Sequence, residues 1–393
     1  MARKGQILRI GIIGTGAFAE QCHLPGLQSH PQAEVVAICG RRPERLGSLA
    51  ARFKISNVYT DYRALCARQD IDAITIVSPN SEHAAQATAA FAAGKHVFCE
   101  KPISTDLPQA QKMVRAAELS GKIHQMAFTY RYLYGLQELR RRVHRGDIGV
   151  PYHVRAHHNS WDGLQPTSSL GFRGNRVVAG GGVLYDMGPH LFDLARFLFG
   201  PIQSAMGFCQ HVPRPLNGRG ESTHSETDDL ATAWFTHESG IRGQWFASRV
   251  MPWFGEKAHV EVVGDGGTLR ASLSRGSVDV LRVAHPSKSG WQELPLPGEA
   301  RNGAPSALTL MMHSFVEACL RGKLDSDIDA SFYDGLAAQL AIASVEHTKE
   351  NLPWTDLDSR SVGVTDSKYL GARSARLPHQ AVVEHKDGIT VAA

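Results

Sequence analysis

Leu8-Arg9-Ile10-Gly11-Ile12-Ile13-Gly14-Thr15-Gly16-Ala17-Phe18-Ala19 decides the fold. A short apolar run feeds directly into a G-x-G-x-x-A loop. An apolar run of that length reads as a strand buried on both faces, as in parallel sheets. In the loop, the first glycine permits a tight turn and the second lets backbone approach a pyrophosphate. The small third residue lets helix and strand pack closely. Unpaired N–H groups and the dipole at the following helix N-terminus then favour phosphate. Gly14, Thr15, Gly16, Ala17 and Phe18 are the resulting cofactor-binding candidates.

Outward from this loop, two periodicities alternate. Strand-like runs at Val35–Cys39, Ala73–Val77, His96–Cys99 and Ile123–Ala127 are separated by helical stretches at Phe18–Leu27, Pro43–Phe53, Tyr62–Ala67, Ser81–Ala93 and Leu107–Ser120. Pro43 and Pro108 stand where helices start, where a missing N–H costs nothing. The alternation predicts an α/β fold with a doubly wound parallel sheet over residues 1–127.

Past residue 128 the pattern changes. One helix, Leu136–His144, precedes strands at Tyr152–His157, Ser204–Val212, Asp229–Thr236, Ile241–Arg249, Ala258–Val263, Thr268–Ser272 and Val278–Val283. Helices are expected near Met187–Phe199, Leu308–Leu320 and Tyr333–Lys349. Residues 128–357 thus read as an α/β domain with a large, mostly antiparallel sheet, and 358–393 as a tail without periodicity.

Composition narrows the class. The 393 residues carry 42 Lys+Arg against 38 Asp+Glu, a net +4 that is too weak to imply a nucleic-acid or membrane-surface partner. The 42% apolar and 20% charged shares are those of a globular chain. Six cysteines, none in a C-x-x-C pair, exclude a disulfide scaffold and a zinc ribbon. With no leader pattern and no long apolar run, a cytoplasmic protein is expected.

Three further segments carry chemistry. After the second strand the chain reads Cys39-Gly40-Arg41-Arg42, with arginines where an acid usually holds the ribose hydroxyls of NAD(H). Arginine pairs with a 2′-phosphate, so Arg41 and Arg42 favour NADP(H), with NAD(H) as the second choice. Cys99-Glu100-Lys101-Pro102 lies at a strand's C-terminal end, where open α/β sheets bind ligands. Gly180-Gly181-Gly182 leads into Asp186, His190 and Asp193, which share one face if helical. Taken alone, Asp186 reads better as a helix N-cap and His190 better as a satisfied core histidine. No metal site is expected, because no second ligand pair accompanies them.

Together, Gly14–Ala19, Ser78-Pro79-Asn80 with His83, Gly94-Lys95-His96-Val97 leading into Glu100-Lys101-Pro102, and Asp186…His190…Asp193 resemble the glucose–fructose oxidoreductase/inositol dehydrogenase (Gfo/Idh/MocA) family, over roughly residues 6–357. The resemblance implies a Rossmann domain, then an α/β domain whose sheet binds substrate on one face and commonly makes homodimers or homotetramers on the other. It implies NAD(P)-dependent oxidation or reduction of sugars, cyclitols and related compounds. Lys101 would bridge substrate oxygen and nicotinamide ribose, Asp186 would orient substrate, and His190 would take or give the proton. Ser78, Pro79, Asn80 and His83 would lie along the cofactor, with Glu100 beside Lys101. One departure is Thr129-Tyr130-Arg131, where members often carry Asn two residues before the Arg.

Histidine suits the proton step, since its ordinary pKa of ~6.5 lies near working pH, and an ammonium suits a developing alkoxide. Further candidates for a polyhydroxy substrate are Tyr130, Arg131, His157, His158, Asn159, Trp161, Asp162 and Arg173. Two rival readings are a glycosidase that uses transient oxidation by a bound nicotinamide and a non-catalytic nicotinamide sensor.

Overall fold

Six parallel strands place the glycine loop at the centre of a sheet in a computed structural model. The structure describes residues 6–164, 170–212, 214–215, 222–223, 226–251, 256–273, 280–296 and 305–351. The expected tail, 358–393, lies outside the described residues. The strands β1 (Leu8–Ile13), β2 (Ala33–Cys39), β3 (Asn57–Tyr59), β4 (Ala73–Ile76), β5 (His96–Cys99) and β6 (His124–Met126) run in the order β3-β2-β1-β4-β5-β6. The order reverses between β1 and β4, which is where such sheets open a ligand crevice. The sequence patterning passes over β3, whose three residues are too few and too exposed to show a period.

The connecting helices are α1 (Leu24–Gln28), α2 (Pro43–Arg52), α3 (Tyr62–Cys66), α4 (His83–Ala92) and α5 (Leu107–Ser120). Asp106 caps α5 by accepting from the Gln109 amide at 2.8 Å, and Gly121, at φ +61°, ends it in the left-handed region. The helix expected from Phe18 divides in two: a π-helical turn, Ala19–His23, runs into α1.

A 3₁₀ turn, Thr129–Tyr132, and α6 (Tyr134–Arg145) lead to a second sheet. Its members are β7 (Pro151–Asn159) and β8 (Ile202–Gln210), then, after the two-residue pair β9 (Arg214–Pro215) and β10 (Ser222–Thr223), β11 (Leu230–His237), β12 (Arg242–Ser248), β13 (Ala258–Gly264), β14 (Gly267–Ser272), β15 (Leu281–Ala284) and β16 (Gln292–Leu294). The order is β16-β15-β14-β13-β7-β12-β11-β8, antiparallel except for β7 beside β12. Val154, Ala233, Phe235, Trp245 and Val262 fill its buried face, where Phe192 meets Trp245 edge-on at 5.2 Å.

Phe192 belongs to α9 (Gly188–Phe199), which follows α7 (Arg176–Ala179) and α8 (Val183–Asp186). Asp186 therefore ends α8, while His190 lies in α9, and the two do not share one continuous helix. The break falls at Met187, just before Pro189 enters the first turn of α9. The last helices, α10 (Ala307–Arg321) and α11 (Phe332–Asn351), return to the first sheet. Phe315 packs on Phe98 at 5.4 Å and Phe332 on Phe91 at 5.7 Å, and the Met126 amide donates to Ala330 O at 2.8 Å. No helix among the described residues is long and apolar enough to cross a membrane.

Arg131 joins these layers. Its guanidinium donates to both Asp193 oxygens, at 2.6 and 2.9 Å, to Asp334 Oδ1 at 3.0 Å and to the Asp329 carbonyl at 3.1 Å. The 3₁₀ turn, α9 and the start of α11 thus share one buried cation. This corrects the expectation that Arg131 touches substrate: its donors are committed inside the protein. Asp193→Asn leaves that guanidinium buried and half paired, which costs about 3–5 kcal/mol. Urea unfolding should show the loss as a lower midpoint at unchanged slope.

Candidate active site

A cleft of about 1340 Å³ runs from the end of β2, past the glycine loop and the end of β5, to the second sheet. At Gly14, φ +127° and a would-be Cβ only 2.5 Å from Val77 O admit glycine alone. Gly16 differs, because a Cβ there would meet nothing within 4 Å. The loop is therefore packed down on β4 at its first glycine and open to the cleft at its second, where a pyrophosphate could approach backbone.

Arg41 and Arg42 line the β2 end, are exposed, and make no ion pair with a described residue. Arg45, by contrast, donates to Thr15 O at 3.2 Å and pairs with Glu20. Asp61 lines the same end, and its carboxylate caps α3 by accepting from the Arg63 amide at 2.9 Å. The sequence reading missed Asp61 because it follows the unrecognised β3.

The wall beyond β4 is built from Ser78, Pro79 and Asn80. Ser78 Oγ donates to Gln86 Oε1 at 2.7 Å, and Asn80 Nδ2 donates to Ala179 O at 2.8 Å, tying this wall to α7. His83 is not on the wall but buried behind it, between Pro102 O at 2.9 Å and Ser78 O at 3.0 Å. Burial pushes its pKa down, so the neutral ring donates to one of these carbonyls at a time.

At the end of β5, Glu100 Oε1 lies 3.0 Å from His23 Nε2. The next residue reaches across to the second half of the chain: Lys101 Nζ donates to Asp186 O at 2.8 Å and to Asp186 Oδ1 at 2.6 Å. Arg173 Nε stands 3.6 Å from the same Oδ1. Burial pushes the Asp186 carboxyl up, but the charges of Lys101 and Arg173 outweigh it and hold the group well below the ordinary carboxylate range. Asp186 is thus ionised throughout the neutral range.

The backbone before Asp186 is pinned by Asp228, which accepts from the Gly182 amide at 2.7 Å and the Leu184 amide at 2.8 Å. A Cβ at Gly182 would fall 1.9 Å from Asp228 O, so only glycine passes there. Asp228 carries no signal in the sequence, because nothing local links it to amides over forty residues away.

Tyr130, His158, Arg173 and Asp186 line the cleft together with Lys101 and the glycine loop. His190 does not: it is 1% exposed, with its ring stacked on Tyr130 at 4.7 Å. His157 is also absent from the wall, because successive strand residues point to opposite faces. Its ring packs against His259 at 4.0 Å, while His158 faces the cleft. Trp161 is 46% exposed outside the cleft lining, and the Asp162 side chain lies outside the described residues. Lys257 lines the cleft and was not foreseen. Among the described residues, no cluster of three His, Cys, Asp or Glu is arranged to hold a metal ion.

This geometry agrees with what the chain is similar to. The model of an oxidoreductase family with an NAD-binding Rossmann fold matches residues 8–128, and that of the GFO/IDH/MocA C-terminal domain matches 136–270. D-apiose dehydrogenase of Paraburkholderia graminis is 30% identical over 293 residues, 72% of this chain and 74% of that protein. Levoglucosan dehydrogenase of Pseudarthrobacter phenanthrenivorans is 25% identical, covering 90% of this chain and 98% of that one. A solved levoglucosan dehydrogenase in complex with NADH and levoglucosan superimposes with a TM-score of 0.79 at 25% identity, over 90% of this chain and 100% of that one. The chain belongs to the Gfo/Idh/MocA family. It is an oxidoreductase of that family.

The two loop glycines should respond differently to substitution. Gly14→Ala is expected to cost about 1–3 kcal/mol of stability through strain and the Val77 collision. Gly16→Ala should stay within about 0.5 kcal/mol of the parent. Parallel urea titrations of the two variants measure the difference.

Proposed function

We propose that this enzyme is a nicotinamide-dependent dehydrogenase acting on a sugar, cyclitol or related polyhydroxy compound, with NADP(H) preferred and NAD(H) accepted. The observation that carries the reading is the Lys101 ammonium, held by Asp186 where the glycine-loop cleft meets the second sheet. Residues 1–127 serve as the dinucleotide domain and 128–357 as the substrate and assembly domain. The full-length relatives are named dehydrogenases, which favours net oxidation or reduction over the glycosidase and sensor readings.

Gly14–Phe18, Ser78, Pro79, Asn80 and Glu100 would hold the dinucleotide, and the open surface at Gly16 fits a pyrophosphate. When bound, the nicotinamide supplies hydride acceptance or return. Lys101 Nζ donates to the reacting oxygen and stabilises the negative charge that develops on it. Asp186 fixes that ammonium and orients the substrate. His190, beyond the α8–α9 break and behind Tyr130, is the proposed proton acceptor.

The cofactor preference rests on Arg41 and Arg42, which are exposed in the cleft, whereas one oxygen of the nearby Asp61 carboxylate accepts from the Arg63 amide. Arg41→Ala with Arg42→Ala should weaken NADPH about 10- to 100-fold and leave NADH little changed. Fluorescence titration with both cofactors measures this, and tighter binding of NADH than NADPH by the parent protein overturns the preference.

Lys101→Ala should cut turnover ~100-fold or more while cofactor affinity persists, the scale of a lost electrostatic or proton-transfer group. A screen of sugars and cyclitols read by nicotinamide absorbance supplies the substrate for that assay. Oxidation needs a proton acceptor, so His190→Asn should cut its rate ~100-fold or more. A retained rate moves the base to Lys101 or Tyr130.

Assembly as a dimer or tetramer in the cytoplasm completes the proposal. The exposed Trp234 and Met206, paired across β11 and β8, offer an apolar surface for it.

A further inference from the structure

Two cations converge on one carboxylate oxygen in the substrate end of the cleft. Lys101 Nζ lies 2.6 Å and Arg173 Nε 3.6 Å from Asp186 Oδ1. One negative charge answers two positive ones, and the nearer cation has the better geometry. Other carboxylates close by have hydrogen-bond partners of their own, and Glu100 also lines the cleft. Glu100 meets His23 at 3.0 Å, Asp228 accepts two backbone amides, and Asp229 takes Arg249 Nε at 2.8 Å. Lys257 adds a further cation to the lining.

Arg173 itself is 52% exposed, lines the cleft, and makes no side-chain hydrogen bond with a described residue. Its guanidinium lies over the Phe172 ring, 5.1 Å from the centroid, which steadies the group while leaving its donors unspent. A planar fork of exposed donors is suited to an anion that accepts two parallel hydrogen bonds.

We propose that the substrate is a polyhydroxy carboxylate whose acid group is bound by Arg173, while Lys101 and Asp186 address a hydroxyl elsewhere on the same molecule. This deepens the dehydrogenase reading and rests on it. A carboxylate is favoured over a phosphate because Asp186 and Glu100 line the same cleft and repel a singly charged group less than a phosphate ester, which carries nearly two charges. An anionic substrate also offsets the charge of an oxidised nicotinamide, which a neutral sugar cannot do.

The test compares D-glucose, D-glucuronate and D-glucose 6-phosphate, and the corresponding galactose set. Two readouts are used: kcat/KM with oxidised cofactor, and calorimetric affinity for the protein loaded with reduced cofactor. In at least one set the acid should exceed its neutral partner by about 10- to 100-fold, the scale of a charge-assisted hydrogen bond. Arg173→Gln should collapse that ratio, and Arg173→Lys should recover part of it. Equal or better use of the neutral sugar, preference for the phosphate, or a ratio unchanged in Arg173→Gln overturns the proposal. Turnover of a neutral sugar in that case leaves the dehydrogenase reading standing. Neither binding nor turnover with any of the six compounds overturns both.

Discussion

The backbone of residues 179–186 has to pass between two surfaces with almost no clearance, and the active site depends on how it does so. On one side Asp228 receives the Gly182 and Leu184 amides, and on the other Asn80 holds the Ala179 carbonyl. Gly182 is required because a side chain would overlap the Asp228 backbone. A segment clamped in this way delivers Asp186 to a fixed point, and Lys101 meets it there from the other half of the chain. Preorganisation of this kind matters because a catalytic ammonium contributes most when it need not be reoriented during the reaction. The clamp also couples the halves electrostatically, since the Asp186 carboxylate is kept ionised by a lysine 85 residues earlier in the sequence.

What could be read in advance follows from the range of the interactions concerned. The strand–loop–helix around Gly14 is local, so its residues announce it: the apolar run, the glycines and the small Ala19 are all within a dozen positions. The parallel order of the first sheet follows from alternating periods in the same way. Long-range partners leave no such trace. Asp228 looks like any acid before a strand, and Arg131 looks like any cation near a pocket. Only the fold shows that one holds the glycine run and the other is spent on Asp193 and Asp334. His157 and His158 illustrate a finer limit. Their pairing with β13 and β12 determines which one faces the cleft, and a one-residue change of register would exchange them.

The cleft is electrostatically uneven along its length. Among the described residues, Arg41 and Arg42 stand at one end without carboxylate partners, and Lys101 and Arg173 share the Asp186 carboxylate at the other. Between them the loop supplies backbone N–H groups and no charged side chain. Asp61, Glu82 and Glu100 line the same cleft, so cations and carboxylates are interspersed along it.

The return of α10 and α11 to the first sheet bears on how the chain is made. Phe98 is covered by Phe315, Phe91 by Phe332, and α1 lies so close to α10 that a Cβ at Gly26 would sit 2.7 Å from the Met312 side chain. During synthesis, the dinucleotide half leaves the ribosome roughly 180 residues ahead of these helices. At ~5–20 residues per second, that is an interval of about 10–40 s. Throughout it, aromatic surface on one layer of the nascent sheet stays bare. The first half of this protein is therefore finished last, and a chaperone that shields the waiting face would serve it better than one that acts only after release.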